Sequence, residues 1–210
     1  FEDVAEDMDG RIDAIVKGEQ TVIGIESTVL DLTSDVPTIL RPGFITKSRI
    51  EEVVGGEVKY DPSLFQKPDS DDFHPKSPGM KYKHYAPKAE MILFCAVEEK
   101  GSEDKISKRI AEYLEEEGKG FPREKIAILC AEETKHFYQE MAEKEGIILK
   151  VLGRRNEPLS MTHNLFRILR ECDAEGIELI LSEGYSEKGI GFALMNRMKK
   201  AAGQKIILIK

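Results

Sequence analysis

A chain of 210 residues, 40% hydrophobic and 33% charged, has the composition of a folded globular protein and the length of one large or two small domains. No run reaches the ~18 consecutive apolar residues of a membrane span, and the acidic opening FEDVAEDMDGR is not a secretory leader. A net charge of −8 argues against stable nucleic-acid binding, because neutralising phosphates takes clustered Lys and Arg.

The chain opens on Phe1 rather than Met, which reads as a fragment or a processed product. DGRIDAIVKG is predicted to be a short helix, with Asp9 at its N-cap and Gly18 beyond its end. STVLDLT and PTILRP, rich in Val, Leu, Ile and Thr, are predicted strands. TKSRIEEVVGG is a predicted helix, capped by Thr46 and stopped by Gly55, and VKY is one more strand. These short elements make a thin core for residues 1–60, and small units are hard to stabilise alone, so the segment reads as the tail of a larger domain. Residues 61–87 carry Pro62, Pro68, Pro75, Pro78 and Pro87 and no amphipathic period, which assigns them as a linker.

From residue 88 to 210 the pattern becomes regular. MILFCAV, KIAILCA, GIILKVL, GIELILS and KIILIK are near-continuous apolar runs, separated by helix-like stretches around 102–118, 133–145, 159–173 and 191–202. In NLFRILREC, Leu165, Phe166, Ile168, Leu169 and Cys172 share one helical face. Strands apolar on both faces, alternating with helices, imply a parallel sheet covered on two sides, so an α/β, doubly wound domain of about five strands is expected. Cys95, Cys130 and Cys172 each lie in or beside an apolar run and none forms a C-x-x-C pair; they read as free thiols in a reducing cytoplasm. His74, His84, His136 and His163 show no metal-ligand spacing, and no protein-held metal is expected.

Three stretches offer chemistry. In GIESTVLDLTSDVPTILRPG, Ser27 and Thr28 open one predicted strand and Arg41 closes the next. If the strands pair, two hydroxyls and a guanidinium meet on one edge and suit a carboxylate or phosphate; the plain alternative is a hairpin with solvated polar residues. FHPKSPGMKYKHYAPK has no acidic residue in an acidic chain, and its lysines and histidines alternate with Tyr82 and Tyr85. That composition fits a segment lying over a polyanionic ligand, or else an ordinary basic linker. In SEGYSEKGIGFALMNRMKKAAG, Gly189 and Gly191 precede a helix where anions bind in open α/β sheets. Glu183 and Glu187 would repel phosphate, however, and the third glycine of a dinucleotide fingerprint is missing. The plainer reading is a turn fitting helix to sheet, with Asn196 and Arg197 as structural or interface residues.

Together these fragments resemble the two-domain, yeast-type threonylcarbamoyl-AMP synthases. GIESTVLDL followed by TILRPG is similar to the end of the YrdC-like catalytic domain, and SPGMKYKHYAPKA to the linker. LGRRNEPLSMTHNLFRILRECDAEGIELILSEGYSEKGIGFALMNRMKKAA resembles the C-terminal domain. The resemblance implies a partial YrdC-like α/β domain over 1–60, a linker over 61–87, and a Rossmann-like accessory domain over 88–210. It implies synthesis of threonylcarbamoyl-AMP from L-threonine, bicarbonate and ATP with release of pyrophosphate, magnesium accompanying the nucleotide. It also implies hand-over of the product to a complex that threonylcarbamoylates adenosine 37 of tRNA. By motif position Ser27 resembles a residue holding L-threonine, Arg41 one contacting ATP, and Tyr85, ahead of Tyr82, a nucleotide contact; Gly43 shapes the turn beside them. The resemblance further implies roughly 130 catalytic residues ahead of Phe1, including a basic segment that grips the triphosphate, so the 210 residues alone are expected to be inactive. A regulatory or interaction module is the competing expectation, and an unrelated Rossmann-like sugar or nucleotide enzyme a third.

Overall fold

The computed structural model describes residues 1–19, 21, 23–65, 76–78, 86–97 and 101–210. Its first element is helix α1 (Glu2–Met8). The helix predicted over 9–18 does not form. Asp9 is the C-cap of α1 rather than an N-cap, Gly10 sits at φ +69°, and Val16 is 95% exposed. Ile12 and Val16 stay exposed and Ile15 is only half-buried, so the segment buries too little to hold a helix that is marginal in water by itself.

Strands β1 (Val29–Asp31) and β2 (Thr38–Arg41) pair antiparallel. The register slips between Val29 and Leu30, so that Val29 faces Arg41 while Leu30 faces Ile39. Such a bulge bends the strand and re-aims its last side chain. Helix α2 (Lys47–Val54) crosses to β3 (Lys59–Tyr60), which pairs parallel with β2. The Thr46 side chain accepts the Arg49 N–H at its start, and Gly55 closes its end in the left-handed region at φ +70°, as its sequence predicts.

The second sheet contains β4 (Glu90–Ala96), β5 (Ile126–Ala131), β6 (Ile148–Gly153), β7 (Leu179–Glu183) and β8 (Ile206–Ile209). All neighbours are parallel, in the order β6-β5-β7-β4-β8, with β7 lying between β4 and β5. The connecting helices are α3 (Glu103–Glu116), α4 (Lys135–Glu145), α5 (Pro158–Ala174) and α6 (Gly191–Ala201). The apolar runs are continuous because alternate residues feed two cores. Met91, Leu93, Ala127 and Leu129 pack with Leu165, Leu169, Leu194 and Met198 of α5 and α6. Ile92, Phe94, Ile126 and Ile128 pack with Ile106, Ile110 and Tyr138 of α3 and α4. The sheet is thus doubly wound, as a period of two with both faces apolar requires.

The region before residue 66 lies on α5 and α6. Arg170 of α5 pairs with Asp7 of α1. Tyr60 and Phe65 close on Phe192 of α6, with centroids 4.5 and 5.8 Å away. A Cβ added to Gly24 would stand 2.2 Å from the His163 Cα and 2.4 Å from the Thr162 carbonyl oxygen, so the chain there runs directly over the backbone of α5.

Candidate functional site

The bulge brings Ser27 and Arg41 together. Arg41 donates from Nε (3.1 Å) and Nη2 (3.0 Å) to the Ser27 carbonyl, and Nη2 lies 3.4 Å from the Ser27 hydroxyl. Its Nη1 donates to the Pro78 carbonyl at 3.2 Å, which draws the linker to the same edge. A guanidinium carries five N–H donors, so this anchoring leaves others for an anion. Ser27 itself is exposed. Thr28 is committed to structure, its hydroxyl donating to the Ile45 carbonyl at 2.7 Å.

Gly43 seals this edge from behind. A Cβ there would lie 2.4 Å from Thr28 N, 2.5 Å from the Glu26 carbonyl oxygen and 2.6 Å from the Ser27 carbonyl carbon. Only glycine permits that approach, so the turn residue expected from its motif position is a steric requirement of the edge. Tyr82, Tyr85, His74 and His84 lie outside the described residues.

Sequence reasoning missed two members of the neighbourhood and placed a third only loosely. Glu26 Oε2 and Arg197 Nε of α6 form an ion pair at 2.8 Å, with side chains 20% and 3% exposed. Arg197 is therefore the interface residue its helix suggested, and its partner is the residue next to Ser27. Lys200, 4% exposed, follows one turn later. Burial pushes its ammonium down to about 8, the neighbouring Arg197 and Arg41 push the same way, and Glu26 opposes them. A signal was available in the sequence. Arg197 and Lys200 are three apart on a helix whose other positions, such as Leu194, Met195 and Met198, belong to the core.

The glycine loop after β7 behaves as the plainer reading had it. Gly189 takes φ +57°, and a Cβ on Gly191 would stand 2.1 Å from the Ser186 carbonyl oxygen. Glu183 is fully buried. It accepts hydrogen bonds from Tyr138 Oη (2.8 Å), Thr134 Oγ1 (2.9 Å), Arg155 Nη2 (3.0 Å) and Ala131 N (3.3 Å), so it is a structural anchor. Beside it a crevice of about 730 Å³, lined by Cys95, Ser102, Arg155, Tyr185 and Met195 among others, opens at the carboxyl ends of the strands.

All three cysteines are free, Cys130 and Cys172 buried and Cys95 partly so. Burial raises the Cys130 thiol to about 12 and the other two to about 11, which disfavours the thiolate at all three. His136 is exposed on α4, and His163 is half-buried on α5. Among the described residues no group of three His, Cys, Asp or Glu is placed to hold a metal. The carboxylate of Glu26, which precedes Ser27 in the chain, is engaged by Arg197 and is not presented as a magnesium ligand. No described helix is long and apolar enough to cross a membrane.

Comparison with known proteins gives this geometry a family. Residues 45–203 match the family described as "Threonylcarbamoyl-AMP synthase, C-terminal domain". The chain belongs to the threonylcarbamoyl-AMP synthase family. Residues 1–43, which include Ser27 and Arg41, match a second family, described as "Telomere recombination" and labelled Sua5_yciO_yrdC. Proteins named threonylcarbamoyl-AMP synthase are similar over nearly the whole chain. That of Pyrococcus abyssi is 40% identical over 212 residues (98% of this chain, 54% of its own length). That of Bacillus subtilis is 38% identical over 206 residues (98% and 53%), and that of Schizosaccharomyces pombe 36% over 201 residues (95% and 47%). Among solved structures, P. abyssi Sua5 complexed with L-threonine superposes with a TM-score of 0.79 at 36% identity, covering 99% of this chain and 54% of that one. A P. abyssi Sua5 variant with a histidine and a tyrosine changed to alanine gives 0.77 at 35% identity, covering 98% and 53%. The chain thus spans about half the length of the relatives it matches.

Proposed function

We propose that these residues are the end of the catalytic domain (1–60), the linker (61–87) and the accessory domain (88–210) of an L-threonylcarbamoyladenylate synthase. The reaction joins L-threonine, bicarbonate and ATP into threonylcarbamoyl-AMP. Bicarbonate loses water to give CO2, threonine's amine captures it as a carbamate with release of a proton, a carbamate oxygen bonds to the α-phosphorus, and the bond to the leaving pyrophosphate breaks. The product serves threonylcarbamoylation of adenosine 37 in tRNA, by hand-over to a transferase complex in the cytoplasm. Ser27 holds L-threonine, Arg41 contacts ATP, and Tyr85 of the linker contacts the nucleotide. Magnesium, where it accompanies ATP, would enter with the nucleotide as part of the substrate.

The observation that carries this reading is the Arg41 guanidinium locked onto Ser27. Two anions, a carbamate and a phosphate chain, must approach each other. A pre-oriented cation beside an exposed hydroxyl lowers the cost of that encounter without reorganising. The Arg41–Pro78 bond supports a role for the linker at the same edge. A regulatory role for the accessory domain, the competing reading, draws support from the contacts that α5 and α6 make beside Ser27.

A chimera tests the proposal, with these 210 residues replacing the matched part of the P. abyssi relative. It should release pyrophosphate from ATP only with threonine and bicarbonate present, and the 210 residues alone should release none. In the chimera Arg41→Ala should weaken ATP binding by about 1.5–3 kcal/mol, the range of a charged hydrogen bond. Tyr85→Ala should slow turnover while removing no charge. Threonine-dependent turnover that survives both Ser27→Ala and Arg41→Ala unchanged would sink the assignment.

A further inference from the structure

The backbone on either side of Ser27 belongs to no ladder: residues 23–28 are irregular, with Val29 the first strand residue. Something other than sheet hydrogen bonds must therefore hold Ser27 where Arg41 finds it. From its own domain the segment has Gly43 pressed against residues 26–28, the Thr28 hydroxyl on Ile45, and Arg41 itself. From the accessory domain it has two further contacts. The backbone of α5 at Thr162 and His163 meets Gly24, and Arg197 of α6 meets the Glu26 carboxylate.

We propose that Arg197 is a positioning residue for the substrate edge: through its ion pair with Glu26 it sets the backbone of Ser27, and through the Ser27 carbonyl the Arg41 guanidinium. The chain of contacts is short and each member is named. Arg197 is 4% exposed on a helix whose neighbouring residues Leu194, Met195 and Met198 are rooted in the core of the parallel sheet. It thus presents a rigid cation. Glu26 immediately precedes Ser27, so anchoring its carboxylate restrains the chain that leads into the Ser27 peptide. The Ser27 carbonyl then accepts two N–H groups from Arg41. An ion pair shielded from water is a stiff contact, because separating its members leaves a charge without its partner in a poorly solvated place. A merely structural clamp on two docked units would sit anywhere on α5 and α6, as the Asp7–Arg170 pair does. This one acts on the residue adjoining the substrate hydroxyl.

The inference rests on the reading of Ser27 and Arg41 as substrate contacts, and two readouts keep the two apart. In the 210-residue chain, the Arg41 Nε–H resonance and its exchange with solvent report the Arg41–Ser27 bond without any substrate. In the chimera described above, KM for L-threonine and kcat report the chemistry. Arg197→Met and Glu26→Gln should each speed exchange of the Arg41 Nε–H. Each should also raise KM for threonine or lower kcat by about 10- to 100-fold, the loss expected when a reacting group is misplaced by about 1 Å. The exchanged pair E26R/R197E should recover most of that loss, which a variant that only disturbs packing would not do. Arg170→Ala, which breaks a different contact between the same two units, should leave the Arg41 resonance and threonine KM unchanged. If Arg197→Met leaves the Arg41 resonance where it was, or if the exchanged pair recovers nothing, the proposal is wrong. If Ser27→Ala and Arg41→Ala leave the kinetics untouched, the substrate-edge reading fails, and the Arg41 resonance still decides whether Arg197 positions it.

Discussion

The two ends of this chain solve the folding problem differently. Residues 86–210 enclose two cores of their own, one on each face of a five-stranded sheet. Before Ala89, the only buried hydrophobic residues among those described are Ile39, Leu40 and Val58. The first region is held by its contacts with α5 and α6: Gly24 on the backbone of α5, Glu26 on Arg197, and Tyr60 and Phe65 on Phe192. A region with so little apolar burial cannot offset the conformational entropy of ordering itself. It carries the exposed Ser27 hydroxyl and the Arg41 guanidinium, while the self-sufficient half supplies rigidity.

Cutting the chain is the strongest way to break that comparison. The isolated segment 86–210 should unfold cooperatively in urea and keep slowly exchanging amides in β4, β5 and β7. Residues 1–65 alone should give the far-ultraviolet spectrum of an unfolded chain. A folded N-terminal piece beside a molten C-terminal one would reverse the assignment of scaffold and passenger.

Removing the buried carboxylate of the scaffold comes next. Glu183→Ala leaves Arg155 beside an empty place and strands the donors of Tyr138 and Thr134. The expected loss is about 3–5 kcal/mol, the cost of breaking a buried pair from one side, read from the urea midpoint of the whole chain. A smaller, local effect is expected at the passenger. Gly43→Ala drives a Cβ into three backbone atoms that cannot rotate away. It should cost about 1–3 kcal/mol, the penalty of overpacking. Hydrogen exchange should show that loss before residue 66 while β4 and β5 stay protected.

Lys200 sharpens the comparison at the seam. Its ordinary value of 10.5 falls to about 8 because it is buried beside Arg197 and Arg41, with Glu26 only partly compensating. Between those values the unfolded chain binds more protons than the folded one, so folding stability should rise as pH increases from about 8 to 10.5. Below that window the protonated amine carries its full penalty. Lys200→Met should therefore raise Tm at pH 7, and the gain should fade as pH approaches 10.5. The smallest effect belongs to the exposed pair Arg49–Glu52 on α2, with side chains 71% and 61% exposed. Arg49→Ala should change stability by less than about 1 kcal/mol, and less still in high salt, as exposed ion pairs do.

Period and capping were legible wherever the determinants are local. The five strands of the parallel sheet and helices α3 to α6 lie where the apolar runs and helical faces put them, because β residues that alternate between two cores must all be apolar. Thr46 and Gly55 announced α2 by the same local logic. The predicted helix over 9–18 failed for the opposite reason: its apolar residues bury little, Val16 least of all, and tertiary context overrules propensity.

The sequence by itself determined the alternation that makes the sheet parallel and doubly wound and the caps of α2; for Ser27 and Arg41 it offered residue types suited to an anion and left a plain hairpin equally open. It did not determine that β7 lies between β4 and β5, since strands apolar on both faces suit several orders. Nor did it show that Arg41 turns back onto the Ser27 carbonyl, which depends on a bulge whose register only the paired partner strand defines. The union of Glu26 with Arg197 joins residues 171 positions apart, and the charges acting on buried Lys200 include Glu26 and Arg41 from the same distant region. Periodicity and capping act within a few residues, whereas electrostatics and exclusion of solvent act across whatever space the folded chain encloses.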